Sequence, residues 1–128
     1  GKYDRDNNHN VRGRFANGWD EPPVEDLDKL WSIIDVLKGI ALQKGVTVAQ
    51  LSLAWTLSRP GVCSIVAGAR NATQLKDTLK SVDVRLTTEE SESLNVVSRP
   101  PLLYPYWHQS RFTRSRMGTA DHVLLNSY

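Results

Sequence analysis

The chain has 128 residues, with 16 Lys and Arg against 14 Asp and Glu, a formal charge of +2, one cysteine and 40% hydrophobic content, the profile of one soluble domain or a piece of one. No apolar run approaches the roughly 20 residues a membrane helix needs, no charged and then apolar leader opens the chain, and a lone Cys63 makes no internal disulfide, so a reducing, cytoplasmic setting fits. The small net charge argues for no nucleic-acid partner, and no membrane partner is expected either.

The chain opens at Gly1 and runs directly into Lys2-Tyr3, as if cut from something longer. Residues 1–23, with Asn7, Asn8, Asn10, Asn17, Gly13, Gly18 and the pair Pro22-Pro23, carry no sustained period and read as a long loop, either a binding loop or a frayed end. From Val24 the residues Leu27, Leu30, Trp31, Ile34, Leu37 and Ala41 recur at spacings of three and four, which predicts a helix started by the two prolines and stopped by Gly45. A second helix follows, with Thr47 and Gln50 as a capping pair, Leu51, Ala54 and Trp55 inward, and Arg59-Pro60-Gly61 as its stop. Residues 62–67, Val-Cys-Ser-Ile-Val-Ala, are nearly continuous in apolar character, as in a strand buried on both faces of a parallel sheet, with Cys63 as a small buried hydrophobe.

Gly68-Ala69-Arg70 makes a short turn, and Asn71 with Gln74 caps a third helix whose Leu75, Leu79 and Val82 face inward. Thr87 with Glu90 opens a short fourth helix that ends near Val97. After Arg99-Pro100-Pro101 regularity disappears, and residues 99–128 read as an irregular tail. A lone strand leaves its backbone groups unpaired, so either the sheet is completed by residues outside this chain or the strand is misread. The order helix, strand, glycine turn, helix is the unit of an α/β barrel or a doubly wound sheet.

The turn at 68–71 is the site-like feature. A strand end meets a helix N-terminus there, and unsatisfied N–H groups favour anions. Gly68 permits close backbone approach, Arg70 offers a planar fork for phosphate, and Asn71 and Gln74 add neutral hydrogen-bonding groups. The plain alternative is a capped helix start with one solvated arginine.

Several motifs together resemble the C-terminal part of aldo/keto reductases: Gly-Val-Thr-Val-Ala-Gln-Leu-Ser-Leu-Ala-Trp at 45–55, the apolar run ending in Gly68-Ala69-Arg70-Asn71, Gln74-Leu75, the helix start Leu86-Thr87-Thr88-Glu89-Glu90, and Pro100 to Trp107. The opening Gly1-Lys2-Tyr3 and Gly13-Arg14-Phe15 are similar to the loop after that family's seventh barrel strand, so the likeness covers about residues 1–108. It implies an α/β fold, the C-terminal part of a (β/α)8 barrel contributing one barrel strand, about four helices and the tail, mostly helical when alone, with 1–128 as a portion of a single domain. It also implies NADP(H) as cofactor and an aldehyde or ketone as substrate, the latter bound through an N-terminal part absent here. Carried over position by position, Lys2 and Arg14 sit on the loop over the cofactor, and Gly68, Ala69, Arg70 and Gln74 surround the phosphate-bearing adenosine end. Asp77 and Thr78 stand where the family has Glu-Asn, the first a carbon shorter and the second a hydroxyl in place of an amide.

The family's Asp, Tyr, Lys and His tetrad comes from early barrel strands, upstream of this segment, so the chain by itself is expected to hold a cofactor half-site without turnover. His9, His108 and His122 have no carboxylate at triad or metal-ligand spacing and read as solvated, which leaves no catalytic and no metal residue. Trp107 is either a pocket wall or an anchor for the tail, and Arg111, Phe112, Arg114 and Arg116 form a solvated basic cluster. Two other functional readings stand beside the reductase: a non-catalytic nucleotide-sensing or channel-associated subunit, and a free-standing helical interaction fragment.

Overall fold

The structure, a computed structural model, describes residues 26–112 and 116–120. Its elements run α1 (Leu27–Lys44), α2 (Val48–Leu57), α3 (Ala72–Leu79), a 3₁₀ turn (Lys80–Asp83), α4 (Thr88–Ser98) and α5 (Tyr106–Phe112), with no strand among the described residues. The loop at 1–23, including Pro22 and Pro23, lies outside them. The first helix accordingly shows a start that the prolines did not predict: Asp26 is the N-cap, its carboxylate accepting the Lys29 N–H at 2.8 Å. Gly45 ends it in the left-handed region at φ 64°, with the Gly45 N–H on Leu42 O and the Val46 N–H on Ala41 O, the paired bonds of a Schellman stop.

α1 packs on α2 and α4, and α2 also meets α3 and the 3₁₀ turn. The core is Leu37, Ile40, Ala41, Leu51 and Leu94, with Ile33, Val36, Val46, Trp55 and Leu86 packed around it. Burying a leucine as completely as Leu51 or Leu94 contributes about 1.5–3 kcal/mol. The expected stripe of α1 holds at Leu37 and Ala41, but Leu27 is exposed and Leu30, Trp31 and Ile34 are only half-buried. Polar ties reinforce the three-helix contact. Lys44 Nζ donates to Arg85 O at 2.8 Å and pairs with Glu90 at 2.9 Å, while Trp55 Nε1 and the Arg59 guanidinium both donate to Asn95 Oδ1, with Arg59 stacked over the Trp55 ring.

Both capping boxes form as the spacing predicts, Thr47 with Gln50 and Thr87 with Glu90. Three expectations are corrected. Residues 62–69 form no strand: Val66 is fully exposed and Cys63 is exposed, not buried, because no neighbouring strand among the described residues accepts or donates along this backbone. Leu75, Leu79 and Val82 do not face inward but are 44%, 57% and 54% exposed, since α3 touches α2 and the 3₁₀ turn and no sheet surface covers its apolar side. The tail is not wholly irregular, for α5 gathers Tyr104, Trp107, His108 and Phe112 into a cluster of tilted and edge-on rings 4.8–6.5 Å apart.

Candidate functional site

The chain reverses at Arg59-Pro60-Gly61-Val62, where proline at the second position and Gly61 at φ 84° at the third close a turn with the Val62 N–H on Arg59 O. From there residues 62–69 run without regular structure to the N-terminus of α3. Asn71 is extended at φ −151° and ψ 166° and caps the helix, its Oδ1 accepting the Gln74 N–H at 2.8 Å. Gln74 returns its own Oε1 to the Arg70 N–H at 2.9 Å, one residue earlier than a regular capping box would place it. The turn therefore wraps tightly around the helix start, while the N–H groups of Ala72 and Thr73, at the first two helical positions, have no intrahelical acceptor.

Gly68, Ala69 and Arg70 are all exposed at this point. A Cβ built on Gly68 meets nothing within 4 Å, so no protein neighbour requires a glycine there, and what its missing side chain offers is access to the backbone. The Arg70 guanidinium makes no hydrogen bond, ion pair or ring contact among the described residues. Open backbone, a free planar cation and the positive end of an α-helix thus meet within four residues, a donor set that suits a phosphate oxygen.

The remaining predicted residues separate from this turn. Asp77 lies half-buried against α2, where Gln50 Nε2 donates to its Oδ1 at 2.7 Å and to its carbonyl oxygen at 3.0 Å. Thr78 is half-buried beside it. Lys2 and Arg14 fall outside the described residues. An open groove of about 760 Å³ lies by the α1–α2 junction, lined by Lys44, Thr47, Gln50, Asp77, Lys80 and Arg85 among others, and it includes none of Gly68, Ala69, Arg70 or Gln74. This groove is therefore distinct from the phosphate-like turn. The Gln50–Asp77 tie escapes sequence reasoning because the capping box accounts for only the Gln50 carbonyl, and the leftover amide nitrogen of a buried glutamine was the signal that it must find an acceptor elsewhere.

Among the described residues no three His, Cys, Asp or Glu side chains converge as metal ligands, and no helix is long and apolar enough to cross a membrane. His108 is held in the aromatic cluster of α5, and Trp107 packs on Tyr104 and His108 at 44% exposure. Arg111 lies over Phe112, Arg116 is exposed, and Arg114 falls outside the described residues. His9 and His122 do so as well.

Residues 1–99 match the sequence profile described as the Aldo/keto reductase family. The chain is 41% identical over 58 residues, 45% of its length and 18% of the relative's, to a probable voltage-gated potassium channel subunit beta of Arabidopsis thaliana. It is 35% identical over 74 residues, 58% of its length and 21% of the relative's, to versiconal hemiacetal acetate reductase of Aspergillus parasiticus. It is 30% identical over 89 residues, 70% of its length and 25% of the relative's, to an NADPH-dependent codeinone reductase of Papaver somniferum. The matched segment spans a quarter or less of each of these three relatives.

Proposed function

Because the chain belongs to the aldo/keto reductase family, we propose that it supplies the cofactor-phosphate side of an NADP(H)-dependent oxidoreductase that reduces aldehydes or ketones to alcohols. The observation that carries this reading is the free Arg70 guanidinium beside the accessible Gly68 backbone at the capped start of α3. The donor set fits a nucleotide phosphate. Arg70 would hold the 2′-phosphate by charge-assisted hydrogen bonds, and the α3 N-terminus would add its partial positive charge. Gln74 holds the turn closed through the Arg70 N–H and faces the adenosine end with Asp77 and Thr78, while Lys2 and Arg14 belong to the loop over the cofactor. When bound, the cofactor supplies hydride to the carbonyl carbon. The chain's own part is to bind and orient the nucleotide; the proton-donating tetrad and the carbonyl pocket belong to a barrel of which this is the C-terminal portion, so the 128 residues alone give no turnover. We place this work in the reducing cytoplasm, with the carbonyl compound as small-molecule partner and neither nucleic acid nor membrane involved.

The test is an NADPH titration of the 128-residue chain and its Arg70→Ala variant. Losing a charge-assisted phosphate contact costs about 1.5–3 kcal/mol, hence about a ten- to hundred-fold rise in Kd. Unchanged affinity in the variant rejects the site. A second reading, a nucleotide-sensing or channel-associated subunit without catalysis, draws support from the likeness to the potassium channel subunit. It shares the titration and differs in requiring that the chain, joined to the rest of a barrel, bind NADPH without reducing carbonyls.

A further inference from the structure

The two regular capping boxes differ in one group. In α4, Glu90 returns a carboxylate oxygen to the Thr87 N–H and pairs that carboxylate with Lys44. In α2, Gln50 returns its Oε1 to the Thr47 N–H at 3.1 Å, and a glutamate would close this cap as well. What glutamine adds is an amide nitrogen, and α3 uses it: Nε2 donates to Asp77 Oδ1 at 2.7 Å and to the Asp77 carbonyl at 3.0 Å. A carboxylate at position 50 would face the Asp77 carboxylate without a donor between them, so the amide serves Asp77 beyond what the cap requires. Asp77 Oδ2 accepts no hydrogen bond among the described residues, and since none of their buried side-chain oxygens lacks a partner, this atom is open. Asp77 stands three residues after Gln74, on the same face of α3 one turn along.

We propose that Gln50 is a positioning residue of the nucleotide half-site. By holding Asp77 Oδ1 it fixes the rotation of the carboxylate, so that Oδ2 is the atom offered to the base. The 6-amino group of adenine, a donor, is then preferred to a 6-oxo group, an acceptor. The proposal rests on the reading of the α3 turn as the cofactor-phosphate side with Asp77 at the adenosine end. It deepens that reading by naming the residue on another helix that decides which group position 77 presents.

The test titrates NADPH, its hypoxanthine counterpart and NADH into the 128-residue chain and its variants. The parent is expected to bind NADPH about ten-fold more tightly than the hypoxanthine form, the worth of one hydrogen bond to a charged group. Asp77→Asn keeps both acceptors for Gln50, which holds the side-chain carbonyl and leaves the amide nitrogen facing the base, so the preference reverses towards hypoxanthine. Gln50→Glu retains the Thr47 cap but withdraws the donor, and the adenine preference falls to within about two-fold. Combining the two changes lets the new carboxylate accept from the new amide, turns the carbonyl oxygen of position 77 outward, and brings a preference for adenine back. A merely structural role for Gln50 would weaken all three nucleotides alike, with neither reversal nor return. The parent's preference persisting in Gln50→Glu overturns the proposal. If that variant does not fold, Asp77→Asn decides alone: reversal supports the proposal, whereas a preference that persists or only vanishes, as with an amide free to rotate, overturns it. A parent that binds NADPH no better than NADH, or not at all, rejects the phosphate reading itself. One that prefers NADPH to NADH yet ranks adenine and hypoxanthine alike overturns the positioning role alone.

Discussion

Leu51 is fully excluded from solvent where α2 meets the apolar stripe of α1 and Leu94 of α4. Cutting it to alanine removes buried methyl groups and leaves a void that rigid neighbours fill only in part, so Leu51→Ala is expected to lose about 2–5 kcal/mol in urea or thermal denaturation. A domain holds only about 5–15 kcal/mol in total, so this change alone removes a substantial share of it. A loss below about 1 kcal/mol would show that the cluster is not the core. Val66, equally apolar by type, is fully exposed, and its replacement by alanine should move stability by no more than about 0.5 kcal/mol. Residue type alone does not separate these two positions; helical spacing does for Leu51, which repeats with Ala54 on one face, while the continuous apolar run around Val66 carries no period that says which face is covered.

The helix starts are the most legible elements, because a cap needs only residues three apart in the chain. Thr47 with Gln50 and Thr87 with Glu90 close both bonds where the spacing places them, and Asn71 caps the Gln74 N–H, while the Gln74 side chain reaches one residue further back to the Arg70 N–H. Less legible is whatever depends on distant cover: the outward turn of Leu75 and Leu79 on α3 and of Val82 in the 3₁₀ turn, and α5, whose helical spacing of His108 and Phe112 is masked by the prolines before it. The start of α4 also carries a pH dependence. Burial pushes the Glu90 carboxyl up, but the hydrogen bonds from Lys44 and the Thr87 N–H together with the Lys44 charge outweigh it and hold the group below its ordinary 4.5. A lowered native value means that this stabilisation is fully present above the unfolded value and is lost as pH falls through the native one. Glu90→Gln keeps an acceptor for the Thr87 N–H and removes the ion pair, so the variant should be less stable by up to about 1 kcal/mol near neutrality. Denaturation from about pH 6 down to about pH 3 should show the gap closing; a constant gap would mean that the Lys44 pair is not its source.

Across the whole molecule, packing and site are anchored differently. The core joins α1, α2 and α4, whereas the phosphate-like turn stands at the end of residues 62–69, a segment whose N–H groups from 63 to 69 find no acceptor among the described residues. The apolar character of that segment and the exposed side of α3 were written for a sheet surface, and for that reason a strand was legible in the sequence but does not form in this chain. Among the described residues the turn is held by its own capping pair, and α3 by the Gln50–Asp77 tie and its packing on α2 and the 3₁₀ turn. Native-state amide exchange should therefore divide the chain: Leu51 and Leu94 among the slowest amides, near the global unfolding free energy, and residues 63–69 close to the unprotected rate. Slow exchange at 63–69 would instead require a ladder partner in solution, and dilution would reveal whether a second copy provides it. Adding NADPH tests the link between the two regions. A phosphate held jointly by Arg70 and the α3 N-terminus must order both sides of the turn, so protection should rise at residues 68–74 and leave the already protected core unchanged. A rise confined to the core would place the nucleotide elsewhere.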